Sequence, residues 1–331
     1  MTSPTYYPGN LQWLGIAKET TPGTAMAAPT FWIPVDTPKH STKITTLTDT
    51  AIRGTMVMQH QQTQGMQYEE LGYKTHFYAD SVFAHFMAML GVADTISGIA
   101  PTVTHKTSAY NGTSSDNGQP PSYTGFLYEQ GGKVAQIAGM KMADLKCDFK
   151  ANDWPSIDVM WNGMPATYIT APANTPTTLA PLPPFTQTVS IAGVGNSKYS
   201  DVSIDLKRDT KPIPVMNGTQ APLGIYAGAL TATGSLTGVF QGSPTDNDLA
   251  ALLANTQAAL SVSLFAAADP THPFTLQMSK VAYDTADPQG SNNSWMTIQS
   301  NIKALGNATD ALDTRESPVQ AILVNSTVTA F

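Results

Sequence analysis

The chain reads as an all-β fold carrying two short helices. Three observations predict this: apolar residues alternate with polar ones at period two along most of the chain, helical periodicity is confined to two places, and the composition favours sheet and turn. Only 12% of the 331 residues are charged, against a usual ~25%. Thr, Ser, Asn and Gln supply the polarity, and 25 Gly with 24 Pro supply turns.

The first long extended run is Gly65–Ala79. Leu71, Tyr73, Phe77 and Ala79 share one parity, and Glu70, Gly72, Lys74, His76 and Tyr78 share the other. Met66 and Tyr68 fall on the wrong parity for one continuous apolar face, which predicts a bulge near Glu69-Glu70. Asp80-Ser81 then signals a helix start, Val82–Leu90 forms the body, and Gly91 is the C′ stop. Residues 106–121, containing NGTSSDNGQPP, read as a surface insertion. In Gly139–Lys150, Ala143, Leu145, Cys147 and Phe149 alternate with Asp144, Lys146, Asp148 and Lys150, a half-buried strand with an ionic face. Ile157, Val159 and Trp161 repeat the pattern.

Ala171–Pro184 (APANTPTTLAPLPP) holds no helix and reads as an extended linker. Beyond it, Val202, Ile204 and Leu206 mark a strand. Gly228–Gln241 has Leu230, Ala232, Leu236 and Phe240 on one face and Thr231, Thr233, Ser235 and Thr237 on the other. A second helix is predicted from Ser243, with Pro244 at N1 and Asp246 at N3 as a capping-box relative, and Leu249, Leu252 and Leu253 on one side. Met296, Ile298 and Ile302 mark a further strand, and Val319–Phe331 reads as a closing strand covered on both faces.

Each helix thus follows a long strand and precedes several more. Asn152-Asp153-Trp154 before Ile157 loosely parallels Asn293-Ser294-Trp295 before Ile298. The expectation is two similar β-sandwich units, 1–170 and 185–331, joined by the linker 171–184. The strands ahead of the helices are expected to be unfinished alone, since long bare edges invite association.

A net charge of −7 gives no attraction for phosphates, which argues against a grip on nucleic acid. The start, MTSPTYYPGN, has no secretory pattern, and no stretch approaches the ~18 apolar residues of a membrane helix. The single cysteine, Cys147, points inward and builds neither a disulfide nor a zinc site; a reducing compartment is expected. The six histidines show no HExxH pair, Gly234-Ser235-Leu236-Thr237-Gly238 has its serine in the wrong place for a nucleophile elbow, and Gly193–Lys198 lacks phosphate-loop spacing. Glu69-Glu70 are adjacent, and Asp144 and Asp148 stand roughly 13 Å apart along a strand, so both pairs read as solvated surface rather than glycosidase machinery. No catalytic, cofactor or metal set is expected, and hence no enzyme.

Leu14-Gly15-Ile16-Ala17-Lys18-Glu19-Thr20-Thr21-Pro22-Gly23-Thr24, followed by Pro29–Val35, resembles the opening of the tail tube (major tail) proteins of phages with long non-contractile tails. Gly228–Phe240 resembles the family's strand before its helix, and the ending Val328-Thr329-Ala330-Phe331 also fits. The insertion at 106–121 and the Pro-rich linker depart from the pattern. The resemblance implies tandem sandwich units contributing strands to an intersubunit β-barrel around a DNA conduit. It implies a ring, a trimer of doubled units in preference to a hexamer, stacked into a tube in the virion tail after assembly in the host cytoplasm. The implied partners are further copies, tape measure protein, tail terminator and tail-tip proteins, with DNA passing unbound. Candidate lumen-facing residues are Glu70, Lys74, Thr231, Thr233, Ser235 and Thr237; candidate ring-to-ring contacts are Gly65, Met66, Tyr68, Thr21 and Thr24. Alternatives are a carbohydrate-binding or adhesin sandwich, prompted by Trp13, Trp32, Trp154, Trp161 and Trp295, and a capsid decoration or tail-tip protein.

Overall fold

A computed structural model describes residues 6–112, 118–129, 131–290, 292–313 and 315–331. Strands β1 (Trp13–Lys18), β2 (Phe31–Ile33), β3 (Lys39–Asp49) and β4 (Gln61–His76) precede helix α1 (Val82–Leu90). Then come β5 (Thr95–Ile99), β6 (Thr102–Ser108), β7 (Tyr123–Tyr128), β8 (Lys133–Lys150), β9 (Ser156–Gly163) and β10 (Thr167–Thr170). Beyond residue 184 follow β11 (Thr188–Ile191), β12 (Val194–Gly195), β13 (Tyr199–Pro212), β14 (Ile225–Val239) and helix α2 (Asn247–Ala254). β15 (Ala258–Ala266), β16 (Asp269–Gln289), β17 (Thr297–Ala304) and β18 (Gln320–Asn325) complete the chain. The fold is all-β with two short helices, as the alternation predicts. Of the surface insertion expected over 106–121, residues 106–108 instead complete β6, with Thr107, Ser108 and the following Ala109 buried, and residues 113–117 lie outside the described residues.

The spine is an antiparallel sheet in the order β3-β4-β9-β8-β13-β14-β17-β16. The first part of β8 leaves it to join β2-β1-β7-β8-β10. The first part of β16 leaves it to join β5-β6-β18-β16-β15-β11-β12. These two strands, of 18 and 21 residues, are long because each serves two sheets.

The pairings among β1–β9 recur among β11–β17. β3–β4, β4–β9, β8–β9, β7–β8 and β1–β7 are matched by β13–β14, β14–β17, β16–β17, β15–β16 and β11–β15. The irregularities recur too. Ala143 is the extra residue of β8 against β9, and Asp284 is the extra residue of β16 against β17. Thr45 faces Gly65-Met66, and Asp209 faces Gly228-Ala229. A side chain at either glycine would press on the facing carbonyl, 3.4 Å away at Thr45 and 3.1 Å at Asp209, so glycine suits both bulges.

Four expectations are corrected here. The bulge sits at Gly65-Met66 rather than Glu69-Glu70, and Glu69 keeps the inward parity of Leu71 and Tyr73. Ser243 does not start α2; Asp246 is the cap, accepting from Asp248 N at 3.0 Å, because Lys198 draws its carboxylate inward. The closing strand ends at Asn325, and the last residues instead pack Phe331 against Phe83 and His105, with ring centroids 5.3 and 5.0 Å apart. β4 and β14 are unfinished only in part: strands flank them on both sides over residues 69–72 and 233–238, whereas 61–68 and 225–232 have a strand on one side, and among the described residues the outermost edges of the spine belong to β3 and β16.

One apolar cluster runs through both halves of the chain, from Leu14 to Leu323. Every residue of α1 is buried in it. Phe86 of α1 meets Phe274 of β16 at 5.0 Å, and Phe77 meets the same ring at 5.7 Å. Ser81 makes no side-chain cap bond, but the other end of α1 is closed twice, by Gly91 at φ 102° and by Arg208 of β13. Cys147 is fully buried, and burial drives its thiol far above the usual range.

Candidate assembly surfaces

The eight-stranded spine has one face on the core and one open face. Across the open face, Lys74, Asp158, Lys146, Asp205, Thr233 and Lys303 stand directly opposite one another from strand to strand. The next row on the same face contains Ser156, Asp148, Ser203, Ser235 and Asn301. Charges of opposite sign alternate from Lys74 to Asp205, so each of these four faces an opposite charge across the strands, while Lys303 beyond Thr233 pairs with Asp284 at 2.6 Å.

The predicted lumen residues fall on this surface. Glu70 and Lys74 project from β4, and Glu70 is held by Lys43 at 3.0 Å. Thr231, Thr233, Ser235 and Thr237 project from β14 opposite Lys207, Asp205, Ser203 and Asp201. Tyr68 shares the face of Glu70, whereas Gly65 and Met66 form the bulge. Thr21 and Thr24 are exposed in the turn after β1.

That turn is fixed by a buried carboxylate. Glu19 accepts from Gly23 N at 2.8 Å, Ser122 Oγ at 2.6 Å, Thr124 Oγ1 at 2.9 Å and Gly139 N at 2.7 Å. Four donors around one charge explain how an acidic side chain sits in the interior.

Two acidic groups read as solvated surface behave otherwise. Glu69 is 1% exposed and pairs with His40 at 3.0 Å. Burial opposes its charge, but hydrogen bonds from His40, Thr42 and Gln67 prevail and hold its pKa below the usual range. The Glu129 hydrogen bond, followed by that of Glu69, raises His40 to about 9. Asp144, on the open face, is raised to about 6 by burial and then by Asp205, with Lys207 3.6 Å away offsetting part of the repulsion. Among the described residues, no group of three or more His, Cys, Asp or Glu is placed to hold a metal. No helix among them is long and apolar enough to cross a membrane.

The surfaces that the sequence did not reveal are the edges and the two ends of the spine. β3 has only β4 as a strand partner, and residues 282–289 of β16 have only β17, among the described residues. At one end, the β3–β4 connection exposes Ile52, Met56, Val57 and Met58, and the β13–β14 connection exposes Val215, Met216 and Leu223. At the opposite end, the β8–β9 turn carries Trp154, 44% exposed, and the β16–β17 turn carries Trp295, 68% exposed. The parallel Asn-x-Trp tripeptides were the sequence signal for that end; nothing in the apolar content of the loops gave the other. Trp161, by contrast, is fully buried and donates to Tyr73 Oη at 3.2 Å.

A sheet with one face on its own core, one self-neutralised polar face, two unfinished edges and apolar tips defines a structural subunit that associates with copies of itself. The family model described as phage tail tube protein matches residues 9–310, and the chain belongs to that family: it is a structural subunit of a phage tail tube. No curated protein matches the chain.

Proposed function

We propose that residues 1–170 and 185–331 act as two equivalent tube units joined by 171–184, and that three chains close into a ring of six units around a lumen. The observation that carries this is the continuous eight-stranded spine, to which each half contributes four strands. Closure of three such sheets into a barrel satisfies every spine edge.

In this arrangement Glu70, Lys74, Thr231, Thr233, Ser235 and Thr237 face the lumen. Alternating charges and hydroxyls leave no basic track, so DNA slides through without releasing counterions to the wall. Rings stack head to tail, with the apolar tips at 52–58 and 213–223 meeting the Trp154 and Trp295 turns of the next ring. Thr21, Thr24 and the Gly65, Met66 and Tyr68 stretch flank this contact. Thioether–aromatic packing suits exposed methionines facing exposed indoles. The role is architectural, without catalysis or cofactor; the tube assembles in the host cytoplasm, is incorporated into the virion tail, encloses a tape measure protein, and meets terminator and tip proteins at its ends.

Electron microscopy of the purified chain tests the proposal. Tubes with three chains per ring and the β14 hydroxyls on the inner wall are expected. A strictly monomeric species at high concentration, or a wall formed by the opposite face of the spine, overturns it.

A further inference from the structure

The strands that join one chain to the next can be read from the seam inside the chain. β8 and β13 unite the two halves through seven opposed pairs, from Asp144–Lys207 to Lys150–Asp201. The repeated bulges provide a residue-by-residue correspondence. Asp284 stands where Ala143 stands, so Asp287 corresponds to Lys146. Thr45 stands where Asp209 stands, so Ser41 corresponds to Asp205. The counterparts of the two seam strands are therefore β16 and β3, the two spine strands whose outer edges are open among the described residues.

We infer that residues 282–289 of β16 pair antiparallel with β3 of a second copy of this chain, in the register Thr285–Lys43, Ala286–Thr42, Asp287–Ser41 and Gln289–Lys39. The inference rests on the tail tube reading and adds to it the strands and the register.

Two further observations point to the same occupant. At the internal seam, Arg208 of β13 reaches across to the C-terminal carbonyls of α1, with Nε 2.9 Å from Met89 O and Nη2 3.2 Å from Leu90 O, and α1 is wholly buried. α2 occupies the matching place after β14 but buries only Asp248, and it leaves Leu253 70% exposed. The counterpart of Arg208 on β3 is Ile44, also exposed, so the incoming strand brings an apolar cover to an apolar gap. Charge agrees as well. The β3 edge carries Lys39 and Lys43, and the β16 edge carries Asp284 and Asp287. In this register Asp287 lies diagonally between the two lysines, within reach of long side chains. Pro288 takes the place of Cys147, and its missing N–H removes at most one ladder bond.

Paired cysteines test the register in the full chain. Directly opposed residues of an antiparallel pair have Cα atoms ~4.5 or ~5.5 Å apart, both within disulfide range. One of the adjacent pairs, Ser41→Cys with Asp287→Cys or Thr42→Cys with Ala286→Cys, therefore oxidises rapidly once tubes form, giving a non-reducing ladder that ends at three chains. An offset control, Ser41→Cys with Gln289→Cys, crosslinks at least tenfold more slowly. In parallel, Ile44→Asp leaves the monomer folded, with an unchanged circular dichroism melt, and abolishes rings. Tubes that form without crosslinks in either matched pair, tubes that crosslink fastest in the offset control, or normal rings from Ile44→Asp overturn the register while leaving the tube reading intact. Absence of any ring or tube from the unmodified chain overturns the tube reading itself.

Discussion

Replacing Arg208 by Met removes a cation that ties the second half of the chain to the helix of the first. The guanidinium donates to Met89 O at 2.9 Å, Gly228 O at 2.9 Å and Leu90 O at 3.2 Å. Each such charged hydrogen bond contributes ~1.5 kcal/mol or more, so the three together give ~5 kcal/mol. A cation at a helix C-terminus is favourable in addition. Against this stands the cost of burying the charge, visible in a pKa lowered to about 10 from the usual 12.5, which at ~1.4 kcal/mol per unit is ~3 kcal/mol. Met fills much of the same volume and avoids that cost, but it leaves carbonyls unpaired. Leu90 O keeps Tyr110 N at 2.8 Å, so the loss falls mainly on Met89 O and adds ~1 kcal/mol. The net expectation is a destabilisation of ~3 kcal/mol, with Arg208→Lys in between because an ammonium reaches fewer of the carbonyls. Urea denaturation in an Ile44→Asp background separates folding from assembly, which would otherwise raise the apparent stability. A change below ~0.5 kcal/mol for Arg208→Met, or Lys no better than Met, refutes the reasoning, since surface substitutions without a structural role fall in that range.

Leu236→Asp places an unpaired charge in the core and should prevent folding of the second half, whereas Thr233→Lys should leave the melting temperature within a few degrees and add a cation to the open face; the opposite result inverts the assigned faces. His40, raised to about 9 between Glu129 and Glu69, stabilises fully below pH 6.5 and progressively less as pH rises through 9; the full shift corresponds to ~3.5 kcal/mol, which solvent screening of this half-buried pair reduces to ~2 kcal/mol, so unfolding free energy should fall by about that much over the window and His40→Gln should flatten the slope. Asp246→Ala should cost ~3 kcal/mol in a thermal or urea melt, because it uncaps α2 and leaves the buried Lys198, 2.9 Å from Asp246, with only Asp248 at 3.3 Å. The double variant Trp154→Ala with Trp295→Ala should shorten tubes in micrographs while leaving rings intact, and tubes of normal length would remove these turns from the stacking contact.

What was legible in the sequence followed periodicity. Val82–Leu90 between Ser81 and Gly91, the ionic strand at Gly139–Lys150 and the hydroxyl row of β14 all fall where the alternation puts them. What was missed depended on partners distant in sequence. Glu69 reads as surface until His40, 29 residues earlier, is placed beside it. Ser243 outranks Asp246 as a cap until Lys198 arrives from 48 residues away. β3, with the sequence KHSTKITTLTD, has too few apolar residues to announce a strand at all, and β4 is its one strand partner among the described residues. The open edges were assigned to the strongly patterned strands before each helix, and the chain itself already covers the half of each strand next to its helix. The edges lie where the pattern is weak.

The internal β8–β13 seam has a kinetic consequence. Because one polypeptide already holds that joint closed, it forms during folding at a rate that does not depend on concentration. If each ring holds three chains, half of its seams are made before any encounter, and nucleation has the reaction order of three bodies rather than six. Dilution then delays the first ring far less than it would for separate halves, while each new chain still advances the circumference by a third.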